Sequence, residues 1–215
     1  MRNLLASLLV VAAIPLAAQN SGQPPATGHA SIVDSHEGVT IGIDPWVQAS
    51  RYKEKFPKKS PFAGGMVALR VSFRNDNDYG VKVDLKRIRL IVQLSEDSRQ
   101  ELETLSAEDV ADAIMLKANG KDPTARRIPL PIPVPRTKPS RDANWTNFRD
   151  TCQNAAVPSG VVAGHSTVDG LLYFDIRGEV ELLQTARLYV PNLVTMGENQ
   201  PLSYFDIDLG HNPAN

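Results

Sequence analysis

The sequence predicts a mainly β fold: an antiparallel β-sandwich carrying a two-helix, Pro-rich insertion. Three observations carry that reading. Short apolar runs alternate with polar residues at period two on both sides of the chain's middle, Gly, Pro and Asn punctuate those runs, and helical spacing occurs only in the middle. Helices alternating with strands would instead mark a parallel sheet.

Residues 1–18, "MRNLLASLLVVAAIPLAA", have one basic residue, an apolar run from Leu4 and small residues at the end. That is the grammar of a secretory signal peptide, with the cut expected after Ala18. The run is shorter than the roughly 20 apolar residues of a membrane-spanning helix, and Pro15 interrupts it, so no stable membrane insertion is expected after cleavage. Residues 19–35, polar and rich in Pro and Gly at the start, are expected to be a flexible leader, and residues 36–215 the folded domain. Export makes the expected location periplasmic or extracellular.

Losing Arg2 leaves 22 basic residues against 24 acidic ones, a net charge near −2, which argues against nucleic acid or an acidic membrane as the main partner. Cys152 is the single cysteine, so no internal disulfide forms and the exported chain relies on its apolar core.

The first strand is expected in "GVTIGIDP", where Val39, Ile41 and Ile43 alternate with polar or small residues and Pro45 ends the run. In "MVALRVSFR", Val67, Leu69, Val71 and Phe73 share a face. "VKVDL" places Val81, Val83 and Leu85 inward, and "IRLIVQL" then places Ile88, Leu90, Val92 and Leu94 inward. The inward set shifts from odd to even numbers, which demands a bulge or corner at Lys86–Arg87. Past the middle, "VDGLLYFDI", "EVELL", "ARLYV" and "LSYFDIDLG" read as further strands, giving seven or eight in all.

Residues 96–159 read as the insertion. In "LSAEDVADAIMLKANG", Ser106 is the expected N-cap, Asp109 its capping-box partner, Leu105 and Val110 the hydrophobic staple, and Asn119–Gly120 the stop. A second helix is expected from Ser140, with Trp145, Phe148, Cys152 and Ala156 on one face. Between them, prolines 129, 131, 133 and 135 remove every second amide donor, so the stretch must run extended. Its apolar residues Ile128, Leu130, Ile132 and Val134 must cover something, either their own sandwich or a partner. If there is an interface, Leu130, Ile132, Val134 and Arg136, next to Trp145, are its expected residues.

Chemistry-bearing clusters are sparse. "RNDNDYG" (Arg74 to Gly80) offers Asp76 and Asp78, but an EF-hand registered on Gly80 would place Lys86 where glutamate is needed. With alternating strands on both flanks, it reads as a hairpin turn. "DSHEG" offers Asp34, His36 and Glu37, without zinc-ligand spacing, and reads as a polar loop. "GHSTVDG" holds His165, Ser166 and Asp169, but neighbours entering a strand alternate faces, which counts against a triad. The basic run "RYKEKFPKK" (Arg51 to Lys59) reads as a solvated face, and Cys152 as a buried, inert thiol. The sequon Asn144-Trp145-Thr146 is set aside because Trp145 faces a core. No catalytic residues, no cofactor and no metal site are expected.

Two stretches carry a family resemblance. A strand ending V-x-F-x-N runs into a polar turn, "VSFRNDNDYG", and a later small-Gly turn leads into an aromatic strand ending Phe-Asp, "AGHSTVDGLLYFDI". This resembles the immunoglobulin-like domains of unknown function found in exported bacterial proteins, over roughly residues 66–94 and 161–209. Ala163 stands where that family more often has Pro, and the helical insertion departs from its compact form. The resemblance implies an immunoglobulin-like sandwich serving as a non-catalytic binding or scaffolding domain, its partner another envelope or extracellular protein. The alternative is a metal- or small-ligand-binding extracytoplasmic protein using Asp76, Asp78 and Asp34 or His36.

Overall fold

A two-residue turn starts the fold. Glu37 and Gly38, with φ of 51° and 72°, join β1 (Ile32–His36) to β2 (Val39–Trp46) in the computed structural model, which describes residues 32–95, 97–117 and 141–210. Both turn residues take the left-handed conformation that a tight antiparallel hairpin needs. Strand structure thus begins at Ile32, inside the stretch expected as leader, and Asp34, Ser35 and His36 are strand residues rather than a loop. The inward positions of β1 are Ile32, Asp34 and His36, all half-buried, so the strand lacks the apolar alternation that announces one.

α1 (Ala49–Tyr52) and a 3-10 turn at Pro61–Gly64 lead into β3 (Met66–Asn75). β2 does not end at Pro45: its pairing with β1 stops at Ile43, but Pro45 and Trp46 still pair with Leu69 and Ala68 of β3. Among the described residues, β2 has a neighbour on one side only there, where a missing amide is tolerated. β4 (Val81–Lys82) is followed by a 3-10 turn at Leu85–Arg87, the expected corner, and by β5 (Arg89–Ser95) and β6 (Ser98–Glu103). Leu94, expected inward on β5, is instead 51% exposed.

Next come α2 (Ala107–Lys117) and α3 (Ala143–Ala155), then β7 (Val161–Val162) and β8 (Ser166–Asp175). "EVELL" is not a strand: Val180–Thr185 forms a 3-10 turn before β9 (Arg187–Val190), β10 (Val194–Thr195) and β11 (Phe205–Asp208).

The fold is mainly β, with antiparallel sheets and few helices. One sheet has the order β1-β2-β3-β8, a second β11-β9-β5-β6, and a small third β10-β4-β7. The "RNDNDYG" stretch is therefore not a hairpin turn, because it carries the chain from β3 in one sheet to β4 in another.

The two large sheets share one core. Ile41 and Ile43 of β2, Leu69 and Phe73 of β3 and Phe174 of β8 meet Leu90 and Val92 of β5, Leu188 of β9 and Phe205 of β11. Each such side chain contributes about 1.5–3 kcal/mol when taken out of water. Where β1 and β11 approach, the His36 ring stacks on Phe205 with centroids 3.7 Å apart.

The outer face of the first sheet is buried too, over one half. Trp46, Met66, Ala68, Leu171 and Tyr173 pack against Val110 and Ala111 of α2 and Trp145, Phe148 and Cys152 of α3. β8 is consequently buried on both faces from Leu171 to Phe174.

The capping signal of α2 holds. Ser106 Oγ accepts from the Asp109 amide at 3.1 Å, while Asp109 Oδ2 accepts from the Ser106 amide at 3.1 Å. α3 begins at Ala143 rather than Ser140, because Asp142 is the residue that caps it, accepting from the Trp145 amide at 2.9 Å. Trp145, Phe148 and Cys152 face the core as expected; the fourth buried residue is Ala155, and Ala156 serves as the C-cap. The expected signal peptide, the leader up to residue 31, the Asn119–Gly120 stop and the Pro-rich stretch lie outside the described residues. Among the described residues, no helix is long and apolar enough to cross a membrane.

Candidate functional site

Among the described residues, the helical layer has an open side, formed by the segment between α1 and the Pro61–Gly64 turn. Two anchors pin that segment to the sheet. Arg51 donates both terminal nitrogens to Asp44, at 2.7 and 2.6 Å, a fork-to-fork pair with fixed geometry. The Tyr52 hydroxyl donates to the Trp46 carbonyl and accepts from the Ala68 amide, both at 2.8 Å. Tyr52 is fully buried, and that burial pushes its phenol up to about 12, so the group stays neutral and hydrogen-bonded. Phe56 then inserts between Tyr52 and Phe148, with ring centroids 6.2 Å from each. On the far side, Gly64 admits the Ile114 side chain of α2 at a distance that leaves no room for a Cβ.

Between these anchors, Lys58 and Lys59 stand over two cavities that share Phe56, Lys58 and Lys59 as a common wall. One, of about 520 Å³, is floored by Phe56, Met115 and Phe148 and edged by Asn144, Asn147 and Thr151. The other, of about 580 Å³, lies toward Tyr52, Lys53 and Ile114. Volumes of this size fall in the range of small-molecule sites.

The charge around the cleft is one-sided. Arg51 has its carboxylate, but among the described residues Lys53, Lys58 and Lys59 have none, and no ion pair there uses a lysine. Lys59 Nζ lies instead 3.5 Å from Met115 Sδ, drawn over the apolar floor. The cleft thus combines an apolar base with an amine rim, an arrangement able to hold a molecule that is apolar at one end and acidic at the other.

Of the five expected interface residues, only Trp145 is described; Leu130, Ile132, Val134 and Arg136 lie outside the described residues. Trp145 is 6% exposed, with its indole N–H donated to Asp112 at 2.8 Å and the guanidinium groups of Arg141 and Arg149 at 4.6 and 5.6 Å from its ring. It is a core residue with a cationic cover.

Three of the four candidate ligands of the alternative reading, Asp76, Asp78 and His36, make contacts of their own. Asp76 is paired with Arg74 at 2.8 Å, Asp78 with His165 Nε2 at 2.8 Å, and His36 is stacked on Phe205. No group of three His, Cys, Asp or Glu side chains able to hold a metal is found among the described residues. The "GHSTVDG" trio is likewise dispersed: Ser166 Oγ donates to the Ala163 carbonyl at 2.7 Å and Asp169 accepts from Arg70 at 2.9 Å. Cys152 is fully buried, and burial pushes its thiol up to about 12, which keeps it protonated.

Sequence reasoning missed the cleft. Its signal was Phe56 embedded in the lysine run "RYKEKFPKK" with Pro57 after it, since an aromatic inside a charge run has to be buried somewhere. The run is a solvated face on one side only.

No protein-family model matches the chain, and neither does any curated protein. Among solved structures, a functionally unknown protein from Listeria monocytogenes EGD-e is similar over 75% of this chain and 71% of its own, at 14% identity and a TM-score of 0.35, a likeness that carries no argument.

Proposed function

We propose that the chain is an exported, non-catalytic binding domain of the cell envelope, built on an immunoglobulin-like sandwich, and that its helical layer is the binding face. The lysine-rimmed cleft with an apolar floor carries this reading, because the fold anchors the rim segment at Asp44–Arg51 and Tyr52 and, among the described residues, gives the amines no carboxylate. The signal-like residues 1–18 support export, and two antiparallel sheets around one core support the sandwich.

Thr151 is a suitable reporter. It lines the cleft on α3, and the contact its hydroxyl makes is to the Asn147 carbonyl, one turn back at 2.8 Å. With a benzophenone amino acid at Thr151 in the full chain expressed in its host, illumination gives a crosslink to an envelope component, and Lys58→Glu with Lys59→Glu abolishes it. The chain is recovered outside the cytoplasm with Gln19 as its first residue. Crosslinks from Thr167 on the opposite end of β8 but none from Thr151 would move the binding face elsewhere. Recovery in the cytoplasm with Arg2 retained would end the export reading.

A further inference from the structure

We infer that the cleft takes an amphipathic anion: one acidic head on an aliphatic or aromatic body. This rests on the helical layer being the binding face, and it names the ligand class. The body is argued from the floor. Phe56, Met115 and Phe148 line a cavity of about 520 Å³, which fits one small apolar body rather than the broad, flat contact of a folded partner. Phe56 is 4% exposed and Phe148 8%, so the floor is fixed by the second core and does not need to form on binding.

The head is argued from charge. The whole chain is near neutral, at −1, yet Lys53, Lys55, Lys58 and Lys59 fall within seven residues with Glu54 as the one acid among them, and no ion pair among the described residues uses any of the four lysines. Lys58 and Lys59 border both cavities, which places amines at the mouth, next to the apolar floor. Lys59 Nζ sits against Met115 Sδ, a weak acceptor that a carboxylate or phosphate oxygen would displace. A cationic ligand meets repulsion here, and a neutral one leaves the amines without a partner. Asn144 and Asn147 on the α3 edge supply amides able to donate to the same head.

Dodecanoate, held below its micelle concentration, is the probe, with dodecanol and butyrate as the neutral and short-bodied controls. Calorimetric titration into the full chain is expected to show saturable, one-to-one binding of dodecanoate, at least about tenfold tighter than either control, a margin of about 1.4 kcal/mol. Lys58→Glu with Lys59→Glu is expected to weaken dodecanoate about tenfold or more and leave dodecanol unchanged. Equal binding of dodecanoate and dodecanol, no binding by the parent chain, or indifference to the lysine reversal would each overturn the inference. If dodecanoate fails while the Thr151 crosslink persists, the ligand class falls and the binding face stands; if both fail, both fall.

Discussion

Asn75 shows what a single residue does that its neighbours in sequence do not announce. It is fully buried, its side-chain amide donates to the Tyr79 carbonyl at 2.7 Å and to the Val162 and Ala163 carbonyls at 3.2 Å, and its oxygen accepts from the Asn77 amide at 3.1 Å. The sequence shows a polar stretch there, which bends between two sheets rather than closing a hairpin. Which of its Asn and Asp residues is swallowed depends on β7, some 87 positions later, and no local pattern reports that. Cys152 was legible as a buried thiol, because helical spacing set it on the face of Trp145 and Phe148. Its burial has a consequence for pH. The folded thiol holds its proton to about 12, against an ordinary value of 9.0, so the folded state binds a proton that the unfolded state gives up. Stability is therefore complete below about pH 9 and falls as pH rises from there toward about 12. Tyr52 adds loss in the same direction from about pH 10. Denaturant midpoints between pH 8 and pH 11 are expected to fall more gently in Cys152→Ala than in the parent chain. Parallel slopes would mean that the thiol is not desolvated in the fold.

Among the elements, the two helices were legible because their ends are written in local chemistry. Ser106 and Asp109 cap α2 reciprocally, and Asp142 caps α3. Ser106→Ala is expected to cost about 1 kcal/mol in the free energy of unfolding, read from the denaturant midpoint. Asp109→Asn retains an acceptor and is expected to cost less. The long alternating strands β2, β3 and β8 were legible for a similar reason, since each buries a continuous apolar row. Other elements resisted for identifiable reasons. β6, "SRQELE", is an edge strand whose five of six residues are exposed, and its one half-buried residue is Leu102. "EVELL" alternates as a strand does, yet Leu183 is its one fully buried residue and the backbone closes into a 3-10 turn. Strand partners were the least readable feature. β3 and β4 follow each other across a short polar stretch but join different sheets, a choice made by the core between the sheets rather than by the turn.

At the scale of the molecule, three layers stack: the β11-β9-β5-β6 sheet, the β1-β2-β3-β8 sheet, and the helices over one half of the latter's outer face. The helices bury the sheet and also lend a wall to the cleft, so the position of the cleft follows from the second core. That core was only half legible. Trp145, Phe148 and Cys152 announce a helix face, but Trp46, Met66, Ala68 and Tyr173, which receive it, sit on the strand face that alternation assigns to solvent. Arg70, Arg74 and Thr167, farther along the same face, carry the polar pattern expected of it. On the proposed reading, the helical layer is where this domain meets its ligand. Hydrogen–deuterium exchange of the full chain, with and without an extract of its host's envelope, would register that contact on the backbone itself. Slower exchange is expected over residues 53–60 and 143–151 in the extract, with the β5–β9 region unchanged. Slowing confined to the loops at 76–80 and 195–204, with residues 53–60 and 143–151 unaffected, would contradict it.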